Sequence, residues 1–337
     1  MAKRSSFKIL VTGGAGFIGS EFVRQAVTLG YSVVVVDKLT YAGDLARLKT
    51  LKGRFTFYKA DIVHQRRVTD IFKQERPWAV VHFAAESHVD RSILNDEEFV
   101  RTNIAGTQSL LTVSRQAGIE KFVHISTDEV YGTIVRGKFK EDFPLGPNSP
   151  YSASKGAADL LVKAYVHTFK FPAMIVRPSN NYGAWQYPEK FIPVIIYKAI
   201  KHEKIPIYAK GLNVREWLHI SDCVRAVLKV LERGRVGETY NIGSGSECKN
   251  IELVKTILNI LSRPKNLITF VEDRPGHDWR YALDSKKIRE ELSWKPQIGF
   301  EQGITDTVAW YRENLKWLQN KVKFLESYWQ RVYRSCN

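Results

Sequence analysis

The chain has 337 residues, 44% hydrophobic and 26% charged, which fits a soluble globular protein of one large domain or two coupled lobes and excludes a disordered or fibrous chain. Lys and Arg outnumber Asp and Glu by 51 to 35, and the net charge of +16 favours anionic partners. The basic residues are dispersed, however, and form no DNA- or RNA-binding motif, so a solvated basic surface or a nucleotide diphosphate ligand is expected, not nucleic acid.

Three scattered cysteines, Cys223, Cys248 and Cys336, give neither a disulfide framework nor a zinc spacing, and no metal is expected. The apolar run "FKILV" is too short for a signal peptide, and no stretch approaches the ~20 residues that span a bilayer. A cytoplasmic protein without a membrane partner is the expectation.

In chain order, short β-branched runs alternate with helix-length segments: "FKILVT" (7–12), "SVVVVD" (32–37), "FTFYKA" (55–60), "AVVHFAA" (79–85), "KFVHIST" (121–127) and "PAMIVRP" (172–178). Nearly continuous apolar strands separated by helices predict a parallel sheet covered on both faces, with ligands beyond the carboxyl ends of the strands. After about residue 180 the alternation loosens. Short strands ("IPIYA", "ETYNI", "ITFVE") mix with helices near 190–202, 222–233, 250–261, 285–293 and 301–316, which reads as a smaller mixed α/β lobe. The division expected is therefore a first domain over 1–180 and a ligand-binding lobe over 181–337, with some segments interleaved. In the tail, Val322, Leu325, Trp329 and Val332 recur at helical spacing; packing on the protein's own body or a second subunit is favoured over a membrane surface.

"VTGGAGFIG" follows the first strand and opens a helix. Gly14, Gly16 and Gly19 fit G-x-G-x-x-G, and Gly13 adds an overlapping G-x-x-G-x-x-G. Such glycines bring backbone N–H groups up to a pyrophosphate at a helix N-terminus, with Phe17 and Ile18 in its first turn. Asp37 ends the next strand, 18 positions after Gly19, where its carboxylate would accept ribose hydroxyls and repel a 2′-phosphate. The cofactor expected is NAD in a Rossmann-type doubly wound sheet, although Lys38 next door weakens the discrimination against NADP. Asp61 ends the third strand, followed by Ile62, and either contacts adenine or caps the next helix. The small residues of "FAAES", Ala84, Ala85 and Ser87, would let the cofactor lie close to backbone. Thr40 and Thr102 complete the expected cofactor contacts.

"YSASK" places Tyr151 and Lys155 on one helix face. A phenol of pKa ~10 is a poor base at neutral pH, and a lysine one turn away would lower that value. Ser126 or Thr127 would hydrogen-bond the substrate hydroxyl that Tyr151 deprotonates. Beside them, "ISTDEVYG" delivers two adjacent acids, Asp128 and Glu129, to one strand end. Alternation along a strand would point them apart, so a turn beginning at Thr127 is required. Like charges side by side raise one pKa, as an acid–base pair needs.

The ordered set "TGGAGFIG", "DKLTYAG", "AAESHVDRSI", "STDEVYG", "SPYSASK", "NNYG", "YPEKFIP", "REWL" and "EDRPGHDWRY" resembles the extended short-chain dehydrogenases, and most closely the dTDP-glucose 4,6-dehydratases, over roughly residues 7–315. The resemblance implies an NAD-dependent lyase acting on a nucleotide sugar. Tyr151 would take the 4-hydroxyl proton as hydride passes from C4 to NAD, Glu129 would remove the C5 proton, Asp128 would protonate the departing C6 hydroxyl, and hydride would return to C6. It also implies that Asn181 meets the cofactor, and that Asn180, Lys190 and Phe191 face the nucleotide, with Ser87 shared. Pro206 and Tyr208 would pass beside the base, and Arg215 and Arg274 would pair with phosphate. Asn250 is either an N-cap or part of an anion-binding helix end, His277 and Tyr281 would close the site, and His88 is either a substrate contact or a packed core histidine. A homodimer through the helices near 96–118 and 151–170 is implied as well.

Ala184 and Trp185 stand where the family usually has proline after "NNYG", which leaves UDP-glucose open beside dTDP-glucose. A nucleotide-sugar 4-epimerase, a decarboxylase and a non-catalytic NAD-binding protein remain alternatives. None of the three has an evident use for both Asp128 and Glu129.

Overall fold

The computed structural model describes residues 4–51 and 53–333; Cys336 lies outside them. Its strands are β1 (Lys8–Thr12), β2 (Ser32–Asp37), β3 (Thr56–Lys59), β4 (Ala79–His82), β5 (Lys121–Ile125), β6 (Ala173–Pro178), β7 (Asn180–Tyr182), β8 (Ile205–Tyr208), β9 (Val214–His219), β10 (Thr239–Ile242), β11 (Glu247–Lys249) and β12 (Ile268–Val271). Seven form one parallel sheet in the order β10-β6-β5-β4-β1-β2-β3. The order reverses between β1 and β4, where a doubly wound sheet opens its ligand crevice.

Alternation along each strand divides the core. Ile9, Val11, Val33, Val35, Val81 and Val123 pack on one face with the helices Phe17–Thr28 and Ile220–Arg233. Leu10, Val34, Val36, Val80 and Phe122 pack on the other, with Gln65–Glu75 and Thr107–Gln116. Both faces of the central strands are covered, so β1, β2, β4 and β5 read as nearly continuous apolar runs with little polar alternation.

The sheet does not end where the sequence suggested. "ETYNI" belongs to the large sheet, as β10 beside β6, and not to the smaller lobe. Its apolar pattern was legible, but its partner is set by a contact some sixty residues away along the chain. The smaller lobe holds a three-stranded sheet, β11-β9-β7, and a two-stranded parallel pair, β12-β8, around a second core that includes Ile192, Ile195, Leu253 and Ile257. The tail is two short helices, Leu315–Val322 and Glu326–Val332, not one; Val322, Leu325 and Trp329 are buried in this second core. Among the described residues no helix is long and apolar enough to cross a membrane.

The helix expected near 96–118 is interrupted: a π-helical stretch, Val100–Gly106, precedes the regular helix Thr107–Gln116. Such insertions re-aim side chains, here Thr102 and Asn103, which are both buried. The long helix Pro150–Phe169 begins with Pro at its first position and a capping box in which Ser149 and Ser152 satisfy each other's backbone N–H at 3.1 Å. That cap fixes the start of the turn carrying Tyr151.

Candidate active site

One continuous cleft runs across the carboxyl ends of the strands, from Gly13 to Lys190. Its cofactor-side wall begins with the turn after β1. Gly13 has a positive φ of 67°, and a Cβ there would sit 2.6 Å from the Ala84 nitrogen; one at Gly19 would sit 2.2 Å from the Gly13 carbonyl. Side chains are sterically barred, so the backbone comes close to whatever fills the cleft. Gly16 precedes the helix Phe17–Thr28 without a side-chain cap, leaving the first N–H groups for a ligand. Phe17, Ile18 and Thr40 line the same wall.

Asp37 accepts the Ala15 N–H at 2.9 Å and the Leu39 N–H at 2.8 Å, while burial raises its pKa from the ordinary carboxylate value. Lys38 is turned to Thr102 Oγ1 at 3.2 Å and to Glu86 at 3.5 Å. Asp61 does not cap the following helix, which starts at Gln65 with His64 in the cap position; its Oδ1 accepts the Val63 N–H two residues on. Asp61, Ile62, Ala84, Ala85, Ser87 and Asn181 all line the cleft. A glycine cradle at a helix start with a carboxylate at the end of the next strand fits a dinucleotide.

The acids behave as the turn argument required. Thr127 caps a 3₁₀ turn, Asp128–Tyr131, donating to Asp128 Oδ1 at 3.2 Å and accepting the Glu129 N–H at 3.3 Å. Both acids, Tyr151 and Lys155 line one stretch of the cleft. Burial first, then Glu129 and Glu216, push the Asp128 pKa well up from the ordinary carboxylate value, which favours the protonated form. Burial also raises Glu129, while Arg274, Arg215 and Lys190 pull it back. Asp128 Oδ2 and the Ser126 hydroxyl are buried without hydrogen-bond partners among the described residues.

One expectation is corrected here. Tyr151 is not lowered by Lys155: burial and the Glu129 charge push the phenol up, and Thr127 opposes only in part. Lys155 points down to the Ile125 carbonyl at 2.6 Å, and burial lowers its pKa to about 8. Helical spacing placed the two residues on one face; the direction of the ammonium is set by β5 beneath it.

Beyond Glu129 the cleft meets Asn180, whose carbonyl oxygen is buried and unpaired among the described residues, and Lys190, which donates to the Ser87 carbonyl. Phe191 opens the next helix. A second cluster centres on Asp90, which the motif "ESHVDRS" contained but did not single out. Arg274 pairs with Asp90 at 3.0 Å, and Tyr208 donates to it at 3.2 Å. Arg215 donates to the Asp278 carbonyl at 3.0 Å and lies 4.4 Å over the Tyr281 ring. His277 contacts Asp273 at 2.6 Å, and burial lowers its pKa to about 4. Pro206, on the strand that carries Tyr208, pairs with Thr269 of β12.

Asn250 is the first helical residue and not the N-cap, which is Lys249; its side-chain oxygen is buried without a partner among the described residues. His88 is packed, with the Glu189 carbonyl at 3.1 Å and the Tyr328 hydroxyl at 3.2 Å. Glu189 itself holds Arg91 at 2.6 Å and Tyr41 at 2.9 Å, a role that its place in "YPEK" did not announce.

A family model described as GDP-mannose 4,6 dehydratase matches residues 10–307. A dTDP-glucose 4,6-dehydratase of Xanthomonas campestris pv. campestris is 49% identical over 331 residues, 92% of this chain and 94% of that protein. The chain belongs to the dTDP-glucose 4,6-dehydratase family. Among solved structures, the family member DesIV of Streptomyces venezuelae, with NAD bound, superposes at a TM-score of 0.91 with 45% identity, covering 94% of this chain and all of that one. A UDP-glucose 4-epimerase of Thermotoga maritima superposes at 0.87 with 31% identity, over 92% of this chain and 100% of its own. The fold is thus shared between dehydratases and epimerases.

Proposed function

We propose that the protein catalyses the NAD-dependent 4,6-dehydration of dTDP-glucose to dTDP-4-keto-6-deoxyglucose. The observation that carries this reading is the Thr127-capped turn that places Asp128 and Glu129 beside Tyr151, within a chain 49% identical to a dTDP-glucose 4,6-dehydratase. An epimerase needs the 4-keto step alone and has no use for a protonated acid beside a second carboxylate.

Bound NAD supplies the acceptor for hydride from sugar C4 and its return to C6. Gly13, Gly16 and Gly19 with Phe17 and Ile18 would hold its pyrophosphate, and Asp37 its adenosine ribose. Tyr151 would have to act as the phenolate to take the proton from the 4-hydroxyl, against the rise that burial and Glu129 impose, while the Thr127 hydroxyl steadies that oxygen. The 4-ketone acidifies C5; Glu129 would remove that proton and return one to C5 as hydride reaches C6. Asp128, whose pKa burial and two neighbouring carboxylates raise, would donate its proton to the C6 hydroxyl as water leaves. Asn180 and Lys190, with the cluster of Tyr208, Arg215, Arg274 and His277, hold the nucleotide diphosphate. A homodimer through the faces of Thr107–Gln116 and Pro150–Phe169 is supported by the exposed Leu160 and Phe169. The scattered cysteines, of which Cys223 and Cys248 are free, support a cytoplasmic setting.

The test is incubation with NAD and either dTDP-glucose or UDP-glucose, with products read by mass and NMR. Loss of one water with a new 6-methyl signal is expected, faster on dTDP-glucose. A galactose epimer alone, or no product from either, overturns the reading.

A further inference from the structure

Arg47 was not a candidate from sequence, yet it is almost fully buried in the short helical turn Leu45–Leu51. Its guanidinium makes hydrogen bonds in three directions. Nη1 donates to the Ala15 carbonyl at 2.8 Å and to the Ala42 carbonyl at 2.6 Å. Nε and Nη2 both donate to the Trp185 carbonyl, at 3.1 and 2.9 Å. Ala15 lies inside the glycine turn, and its N–H is already held by Asp37. Ala42 lies in the loop that follows Asp37. Trp185 belongs to the substrate-facing segment 179–190, which ends at Lys190.

The far side of that bond is equally fixed. Trp185 has a left-handed φ of 70°, and its indole packs 4.7 Å from Trp310 and 5.1 Å from Trp317. Trp317 also lies 5.9 Å from the Arg47 guanidinium and donates to Asp44 at 2.9 Å. A second tie runs parallel, from the Tyr41 hydroxyl to Glu189 at 2.9 Å. A guanidinium is planar with donors at fixed angles, so carbonyls held on opposite edges are held relative to each other. A buried charge of this kind persists only where dipoles replace its hydration, and here carbonyls of both halves of the cleft do so.

We propose that Arg47 is a positioning residue that couples the cofactor cradle to the substrate-facing segment 179–190, so that filling one half of the cleft tightens binding in the other. The inference rests on the reading that NAD and a nucleotide sugar share this cleft. Arg47 sets the relative placement of the two ligands and takes no part in proton transfer.

The experiment titrates NAD into the full chain with and without saturating dTDP or UDP, whichever the wild type binds more tightly, for wild type, R47K and R47M, with melting curves alongside. In the wild type the nucleotide tightens NAD binding by about fivefold or more. R47K keeps the charge and can reach Ala15 and Ala42, but a point donor cannot also fork onto Trp185; its ratio falls below about twofold. R47M brings the ratio to one and weakens NAD binding as well; if it does not fold, R47K decides alone. A folded R47K with the wild-type ratio overturns the proposal, as does a wild type that binds both ligands independently. A purely structural role would lower melting temperature and weaken both ligands while leaving the ratio intact, which also overturns it. A wild type that binds no NAD removes the cleft reading itself, and is recognised because the first titration already fails.

Discussion

Around Asp128, its own Oδ2, the Ser126 hydroxyl and the side-chain oxygens of Asn180 and Asn181 are buried without partners among the described residues. Around Asp37, both carboxylate oxygens accept backbone N–H groups, and the nearby Arg47 donates on three sides. Each unpaired buried atom costs free energy that a satisfied one does not. The Asp128 end of the cleft, read as the sugar side with Asn181 at the border, thus carries buried polar groups without partners among the described residues, while the Asp37 end is internally satisfied. Chemistry and scaffolding are separated within one cleft, and substitutions should act differently on the two sides.

The largest effect is expected from Glu129→Gln. Loss of the general base should cut kcat by about a thousandfold while C4 oxidation persists. Single-turnover absorbance of reduced cofactor, together with loss of C5 proton exchange with deuterated solvent, checks this; turnover at the wild-type rate removes the role. On the cofactor side, Gly19→Ala should act through sterics alone. A Cβ only 2.2 Å from the Gly13 carbonyl forces the turn apart, and NAD affinity should fall by a hundredfold or so, about 3 kcal/mol, in a direct titration.

Asp128→Asn sharpens the contrast because it should harm activity and help stability. The Asp128 pKa is raised in the fold. Its stability contribution is therefore fully present below the ordinary carboxylate pKa of about 4 and is lost as pH rises through the folded value. An amide cannot ionise, so the variant should melt higher than wild type at pH 7 and nearly alike at pH 4. Each kcal/mol recovered is worth roughly 2–4 °C or less in a chain of this size. A variant that melts lower at pH 7 would show that the carboxyl is a structural asset. The smallest effect is expected from Lys38→Met. Its ion pairs to Glu86 and Glu98 at 3.5 and 3.9 Å are long and partly solvated, and stability should change by no more than about 1 kcal/mol in chemical denaturation.

What could be read from the sequence was local. The glycine turn, the Tyr151–Lys155 face and the need for a turn at Thr127 follow from neighbouring residues and the geometry of one element. Arg47, Asp90 and Glu189 were missed for the opposite reason: Arg47 meets Trp185, Asp90 meets Arg274, and Glu189 meets Arg91 and Tyr41, and each partner is remote in the chain. The direction of Lys155 was missed because it depends on the Ile125 carbonyl, on a strand thirty residues earlier. For Asn250 and Asp61 capping was one of two readings, and a helix start one to three residues away from the expected one removes it.

The placement of β10 beside β6 also bears on how the chain is made. Every residue assigned to the chemistry has been synthesised once Lys155 has emerged, but at that point the sheet lacks its last two strands. After β6 forms, its outer edge, apolar from Ala173 to Val176, stays open until Thr239–Ile242 leaves the ribosome. An unpaired apolar edge is a template for wrong partners. The nascent protein therefore passes through a window in which its reactive half is complete in sequence and yet most exposed to aggregation, and the late strand β10 is what closes it.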